Sequence, residues 1–356
     1  MIIIDGHLDL AMNALLWNRD LTQTVAAIRR SEAGMAQKGR AGGTVALPEL
    51  REGRIALTMA TLFARTQAPG SPFPGYRSRA IAYGHARGQL AYYRQLEREG
   101  VACVIADRAA LAAHLDGWEE GASAPLGLVI AMEGADPIVE PEQVAEWWDD
   151  GLRVLGLAHY GPSAYAHGTQ SSGPLTDRGR ALLPLMERLG MILDLTHLAD
   201  ESFWEALERF GGPILASHAN CRTLVPGDRQ LTDDMIRQLI ARDAVIGVAL
   251  DAWMLQPGWV IGATTNEGVG LARVVDHLDH ICQLAGNARH AALGTDLDGG
   301  YGREQSPHDL DTIADLRLLA PLLRERGYGE ADVAALLAGN WRRLLGTHLP
   351  PGAGCA

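Results

Sequence analysis

A closed (β/α)8 barrel carrying extra C-terminal helices is the fold class this sequence predicts, on three observations. Eight short apolar runs recur along the 356 residues. Stretches of helical periodicity separate most of them, and strand alternating with helix implies right-handed crossovers and a parallel sheet. No GxGxxG follows the first run, which makes an open doubly wound sheet the lesser reading. Eight βα units occupy about 250 residues before insertions, so one such barrel fits the chain.

The first run, Met1–Asp5, holds the β-branched Ile2 to Ile4 and reads as a fully buried strand. Gly6 lets the backbone turn, and His7 and Asp9, two apart on an extended chain, share a face. Ile55–Phe63 is the second strand. After it, Thr66–Tyr76, with Pro69, Gly70, Pro72, Pro74 and Gly75, reads as a rigid loop over the mouth. A helix over Arg79–Glu99 leads to the third strand, Leu126–Glu133. Helical Pro141–Asp150 precedes Val154–His159, Thr176–Leu189 precedes Met191–His197, and Ala199–Phe210 precedes Pro213–His218. Thr232–Arg242 then leads to Val245–Asp251, and Val269–Ala285 to Ala291–Asp298. Asp309–Leu345 reads as two more helices packed on the barrel. Residues 1–349 are therefore expected to form one domain, and 350–356, Pro-Pro-Gly-Ala-Gly-Cys-Ala, a flexible tail.

Composition excludes several functions. The 47% hydrophobic content is ample for a core, and a net charge of −12 without a basic stripe argues against nucleic acid and anionic membrane. Cys103, Cys221, Cys282 and Cys355 lack CxxC spacing, so neither a disulfide framework nor a thiolate zinc site is expected. The N-terminus has no basic region followed by a long apolar stretch, and no apolar segment reaches spanning length. The expectation is a soluble cytoplasmic enzyme. Lys38 is the only lysine and sits in a glycine-rich stretch, not at a strand end. Any Schiff-base, phosphate-loop or carbamylated lysine would have to be Lys38.

The strand ends carry the chemistry. They offer His7 and Asp9, Glu133, His159, His197, His218, and the pair Asp296 and Asp298. In a (β/α)8 barrel these positions converge on the C-terminal mouth, where such folds place their catalytic groups. One polar strand end is an ordinary helix cap or loop contact; six in eight strands is not. His85, His114, His277 and His348 fall on helices or loops and read as structural. His7, Asp9, His197, His218 and a glutamate exceed what one tetrahedral zinc requires, and they suit two ions about 3.5–4 Å apart sharing a bridge. Glu133 can bridge because a carboxylate has two oxygens. Mixed nitrogen and oxygen donors without thiolate favour two Zn²⁺ per chain, with Mn²⁺ or Co²⁺ as alternatives.

The chain resembles the membrane (renal-type) dipeptidase family, within the amidohydrolase-like metal-dependent barrels. The resemblance rests on an ordered set: Asp-Gly-His-Leu-Asp at the start, Leu-Pro-Glu-Leu-Arg-Glu-Gly at 47–53, Met-Glu-Gly at 132–134, the spacing of His197 and His218, Gly-Thr-Asp-Leu-Asp-Gly at 294–299, and Gly-Asn-Trp at 339–341. It implies a binuclear zinc dipeptidase with His7, Asp9 and Glu133 on one ion and Glu133, His197 and His218 on the other. It further implies Asp296 as general acid/base and His159 as the group that polarises the substrate carbonyl. Arg229 would fork onto the C-terminal carboxylate of a dipeptide, and a D-residue at that side would be tolerated. Asp298 is expected to support the site through loop hydrogen bonds.

The sequence departs from the family's renal members where Glu133 is followed by Gly-Ala-Asp-Pro and where the seventh strand runs into Leu-Asp-Ala-Trp-Met. Trp253 and Met254 there are expected to reshape the pocket. A hydrolase of another small N-acyl amino acid, lactam or lactone would use the same atoms, and a non-catalytic binding barrel is the remaining alternative. The expected partner is a small dipeptide-like molecule, with no nucleic acid and no membrane; a homodimer is compatible with the chain.

Overall fold

The computed structural model describes residues 1–121 and 124–352. Among the described residues, nine strands form one parallel sheet: β1 (Ile3–Leu8), β2 (Ile55–Phe63), β3 (Ala102–Val104), β4 (Leu126–Glu133), β5 (Leu152–Gly156), β6 (Ile192–Asp194), β7 (Ile214–Leu215), β8 (Ile246–Val248) and β9 (Ala291–Leu293). Eight of them follow one another in the order β7-β6-β5-β4-β2-β1-β9-β8. The ring is joined between β7 and β8 by Ala216, whose N–H donates to Val245 O at 3.0 Å and whose carbonyl accepts from Gly247 N at 2.8 Å. These eight are the strands the sequence predicts, and the fold is a (β/α)8 barrel.

The ninth, β3, is absent from the sequence reading. Its three residues pair with the lower half of β4, Ala102 opposite Leu126 and Val104 opposite Leu128. β5 pairs higher on the same edge, from Ile130 opposite Leu152. A three-residue strand carries too little periodicity to be recognised.

The strands also end earlier than their apolar runs. β5 stops at Gly156, β6 at Asp194, β7 at Leu215 and β9 at Leu293, so His159, His197, His218 and Asp296 stand on the loops beyond. Asp9 likewise lies past β1, at the start of a helix over Leu10–Leu16. Beyond β6 and β9, His197, Asp296 and Asp298 adopt left-handed backbone at φ 67°, 55° and 62°, a conformation in which a strand cannot continue.

Alternation along the strands sorts two apolar layers. Ile4, Leu57, Met59, Val129, Ala131, Val154, Ile192 and Leu215 fill the barrel interior. Ile130, Met132, Leu155 and Leu193 face outward against Trp147, Leu182 and Phe203 of the helices. Burying each such side chain contributes roughly 1.5–3 kcal/mol. On β4 the inward positions are Val129, Ala131 and then Glu133, which places the glutamate on top of the interior core.

The opposite end is plugged by the C-terminal helix Asn340–His348. Trp341 Nε1 donates to Leu293 O at 2.7 Å, and Asn340 Nδ2 donates to Ala288 O and Ala291 O at 2.6 and 2.7 Å. Gly-Asn-Trp is thus a packing motif that closes the barrel from below, the Trp341 indole reaching up to the end of β9. The tail forms two helical runs, Ile313–Glu325 and Glu330–His348, each built of short segments. No helix among the described residues is long and apolar enough to cross a membrane.

Candidate active site

The mouth gathers His7, Asp9, Glu133, His159, His197, His218, Arg229 and Asp296. Glu133 is the centre. Its Oε1 lies 3.1 Å from His197 Nε2, 3.2 Å from His218 Nε2 and 4.0 Å from His7 Nε2. Its Oε2 lies 3.8 Å from His159 Nε2. His7 Nε2 in turn stands 3.8 Å from both Asp9 Oδ2 and Asp296 Oδ1. Three overlapping groups of ligating atoms result: His7, Glu133 and His218; Glu133, His159 and His197; His7, Asp9 and Asp296.

What lies behind each imidazole decides which nitrogen carries its proton. Ser217 Oγ donates to Asp194 Oδ2 at 2.5 Å, because a carboxylate only accepts. Ser217 must then accept from His218 Nδ1–H, 2.8 Å away, which leaves a lone pair on His218 Nε2. Thr169 Oγ1 donates to His197 O at 3.3 Å and accepts from His197 Nδ1–H at 3.0 Å, with the same outcome. His7 Nδ1 sits 3.3 Å from Thr61 Oγ1. His159 differs. Its Nδ1 lies 2.7 Å from Arg65 Nη1, a group that can only donate, so His159 carries its proton on Nε2.

Together these groups form a pocket of lone pairs suited to a cation. His197 Nε2, His218 Nε2 and Glu133 Oε1 present lone pairs to one another at 3.1–3.2 Å. Beside them, the buried His7 Nε2 and Asp9 Oδ1 have no hydrogen-bond partner. Leaving such groups unpaired costs about 1–3 kcal/mol each, and a positive ion satisfies them together. Burial pushes the Glu133 carboxyl above the usual carboxylate range. Burial opposes charge on His7, yet Glu133, Asp9 and Asp296 outweigh it and hold the imidazole pKa well up. His159, His197 and His218 are held well below the usual range, burial being the largest cause, a direction that favours the neutral imidazole a metal ligand needs. The donor set fits a divalent metal.

Three buried carboxylates brace this array. Asp5 accepts from His7 N at 3.1 Å, Thr295 N at 2.8 Å and Thr295 Oγ1 at 2.6 Å. Asp194 accepts from Thr196 N and Ser217 N, both at 3.0 Å. Asp298 is saturated by Thr44, Val45 and Arg19 at 2.7–3.1 Å, the supporting role its sequence context suggests.

A cavity of about 230 Å³ opens beside the cluster, lined among others by Glu133, His159, His197, Arg229 and Asp296. Arg229 is buried; its Nη2 donates to His218 O at 2.7 Å, and its Nη1 has no partner. Trp253 and Met254 line the cavity, as do Arg65, Tyr160 and Asp251, which sequence reasoning did not select. The Asp251 carboxyl is pushed up to about 7, mainly by burial. Asp251 ends an apolar run, a signal available in the sequence; Arg65 and Tyr160 follow strand ends with nothing local to mark them. The 66–76 loop does reach the mouth, where Phe73 packs 5.3 Å from Tyr160, ring centre to ring centre.

Comparison with known proteins bears on this arrangement. The family model described as membrane dipeptidase (peptidase family M19) matches residues 1–348. A Klebsiella pneumoniae protein described as uncharacterized, from the pqqA 5′ region, is 31% identical over 62% of this chain and 81% of its own length. Dipeptidase aclJ of Aspergillus oryzae is 25% identical over 97% of this chain and 77% of its own. Among solved structures, a Rhodobacter sphaeroides metallo peptidase, liganded with a phosphinate mimic of the dipeptide L-Ala-D-Ala, shares the fold at TM-score 0.79. It is 23% identical and is covered over 98% of this chain and 99% of its own. The chain belongs to the membrane dipeptidase family, peptidase family M19, and is a metal-dependent peptide hydrolase.

Proposed function

We propose that this protein is a binuclear zinc dipeptidase that accepts a D-residue at the C-terminal side of its substrate. The observation that carries the reading is the set of inward lone pairs on His197, His218 and Glu133 next to unpartnered His7 and Asp9. His7, Asp9 and Glu133 would hold one ion, and Glu133, His197 and His218 the other; nitrogen and oxygen donors without thiolate favour zinc. When bound, such ions polarise the scissile carbonyl and lower the pKa of water.

The chain's own residues do the rest. Asp296 takes the proton of the attacking water and passes it to the leaving amine. His159 Nε2–H donates to the carbonyl oxygen as negative charge develops there. Arg229 offers its unpartnered Nη1 to the C-terminal carboxylate. A cavity of about 230 Å³ suits a molecule of two residues rather than a longer peptide. A solved relative's dipeptide mimic supports the same size and stereochemistry.

Turnover of a panel of L-L and L-D dipeptides and their C-terminal amides, by zinc-loaded protein, tests this. Free carboxylates should be preferred about 10²-fold in kcat/KM, since charged hydrogen bonds contribute roughly 1.5–3 kcal/mol each. Arg229→Met should erase most of that preference and leave metal content unchanged. Turnover of N-acyl amino acids, lactams or lactones with none of any dipeptide would overturn the substrate assignment.

A further inference from the structure

We infer that Arg65 is a positioning residue for the reaction, fixing His159 in the Nε2–H tautomer and aiming that proton into the cavity. The inference rests on the reading of His159 as donor to the substrate carbonyl.

Arg65 follows the end of β2 by two residues. Its Nη1 donates to His159 Nδ1 at 2.7 Å, and its Nε donates to Pro74 O at 2.8 Å. The guanidinium carbon stands 5.9 Å from the Phe63 ring centre and 5.5 Å from that of Phe73, within cation–π range. Phe63 meets the His159 ring edge-on at 4.8 Å. The loops carrying Arg65 and His159 are also joined through Asp136, on the loop after β4. Asp136 accepts from Thr66 N and Oγ1 at 2.7 and 2.8 Å, and from Ala164 N at 3.0 Å.

The chemistry of the donor matters more than its distance. The other three imidazoles at the mouth are backed by hydroxyls, which can donate or accept. A guanidinium carries no acceptor and does not deprotonate in proteins. It therefore leaves His159 one neutral form, with the proton on Nε2, whatever happens at the ring's other face. Arg65 makes no ion pair within 4.0 Å among the described residues, although Glu133 is a neighbour in the same cavity. Its charge is directed onto a neutral ring.

The test uses zinc-loaded full-length protein and a dipeptide substrate, with variants Arg65→Met, Arg65→Lys, His159→Ala and the two Arg65 changes on His159→Ala. Arg65→Met should lower kcat by about 10–100-fold, the usual effect of removing a group that orients an active residue, with KM changed by less than about 3-fold. Arg65→Lys, which keeps one donor, should recover part of the loss. Neither change should lower activity further once His159 is alanine, because a residue acting through another has nothing left to act on. In protein labelled with ¹⁵N-histidine, His159 Nδ1 should be unprotonated and should change its signal in Arg65→Met. Unchanged kcat with an unchanged nitrogen signal would overturn the inference. So would an equal loss on the His159→Ala background, which would place Arg65 on the substrate itself. Absence of dipeptide turnover in the unmutated enzyme would instead remove the functional reading, and the nitrogen signal would still decide Arg65's role.

Discussion

Asp296 and Asp298 are two residues apart, both in left-handed backbone, and do opposite things. Asp298 is consumed by four hydrogen bonds from Thr44, Val45 and Arg19. Asp296 lines the cavity, and burial drives its carboxyl well above the usual range. Asp296→Asn should keep fold and metal content while lowering kcat by at least ~10²-fold. Asp298→Asn should instead lower the melting temperature with kcat little changed; the reverse pattern would exchange the two roles. The ligand types at the mouth were legible because each ends an apolar run. Their backing was not. Thr61, Thr169, Ser217 and Asp194 come from four separate segments, and nothing in the residues themselves says which imidazole each will meet.

The loops that carry the ligands depend on how closely the strands pack beneath them. A Cβ on Gly294, just past β9, would lie 1.7 Å from Ser217 O, and one on Gly247 in β8 would lie 2.0 Å from it. Ser217 bears the hydroxyl behind His218, so these glycines set the ligand's height. Gly294→Ala should cost about 1–3 kcal/mol of stability or more, as overpacked cores do, and reduce metal retention; normal metal content and melting temperature would refute this. Gly294 was visible in the sequence only as part of a motif, without its reason. Helices give a second case. His277, in the helix Leu271–Ala285, accepts from Cys221 N at 3.1 Å, and burial, opposed by Asp276, holds its pKa down to about 4. Below pH 6.5 the unfolded chain binds a proton that the folded one refuses, so stability should fall from there toward pH 4 and be complete above pH 6.5. The loss is at most about 3 kcal/mol, each tenfold in proton affinity being ~1.4 kcal/mol. Denaturant melts across that range should show the slope, and His277→Asn should flatten part of it. This histidine was read from sequence as structural, since a helix position offers no route to the mouth.

The molecule as a whole was the most legible level. Eight buried strands need eight apolar runs, and those stand in the sequence; β3 was missed because pairing on half of one edge needs only three residues. The mouth was legible because a parallel barrel delivers all strand ends to one face. The exact carriers were not, since β5, β6, β7 and β9 stop short and His159, His197, His218 and Asp296 stand on the loops beyond, His197 and Asp296 in left-handed backbone. The proposed function requires one arrangement: two ions held across Glu133. X-ray anomalous scattering at the zinc edge, from crystals of zinc-loaded protein, reads it directly. The account predicts two peaks at the barrel mouth, one beside His7 and Asp9 and one beside His197 and His218, with Glu133 touching both. A single peak, or peaks away from Glu133, would contradict it.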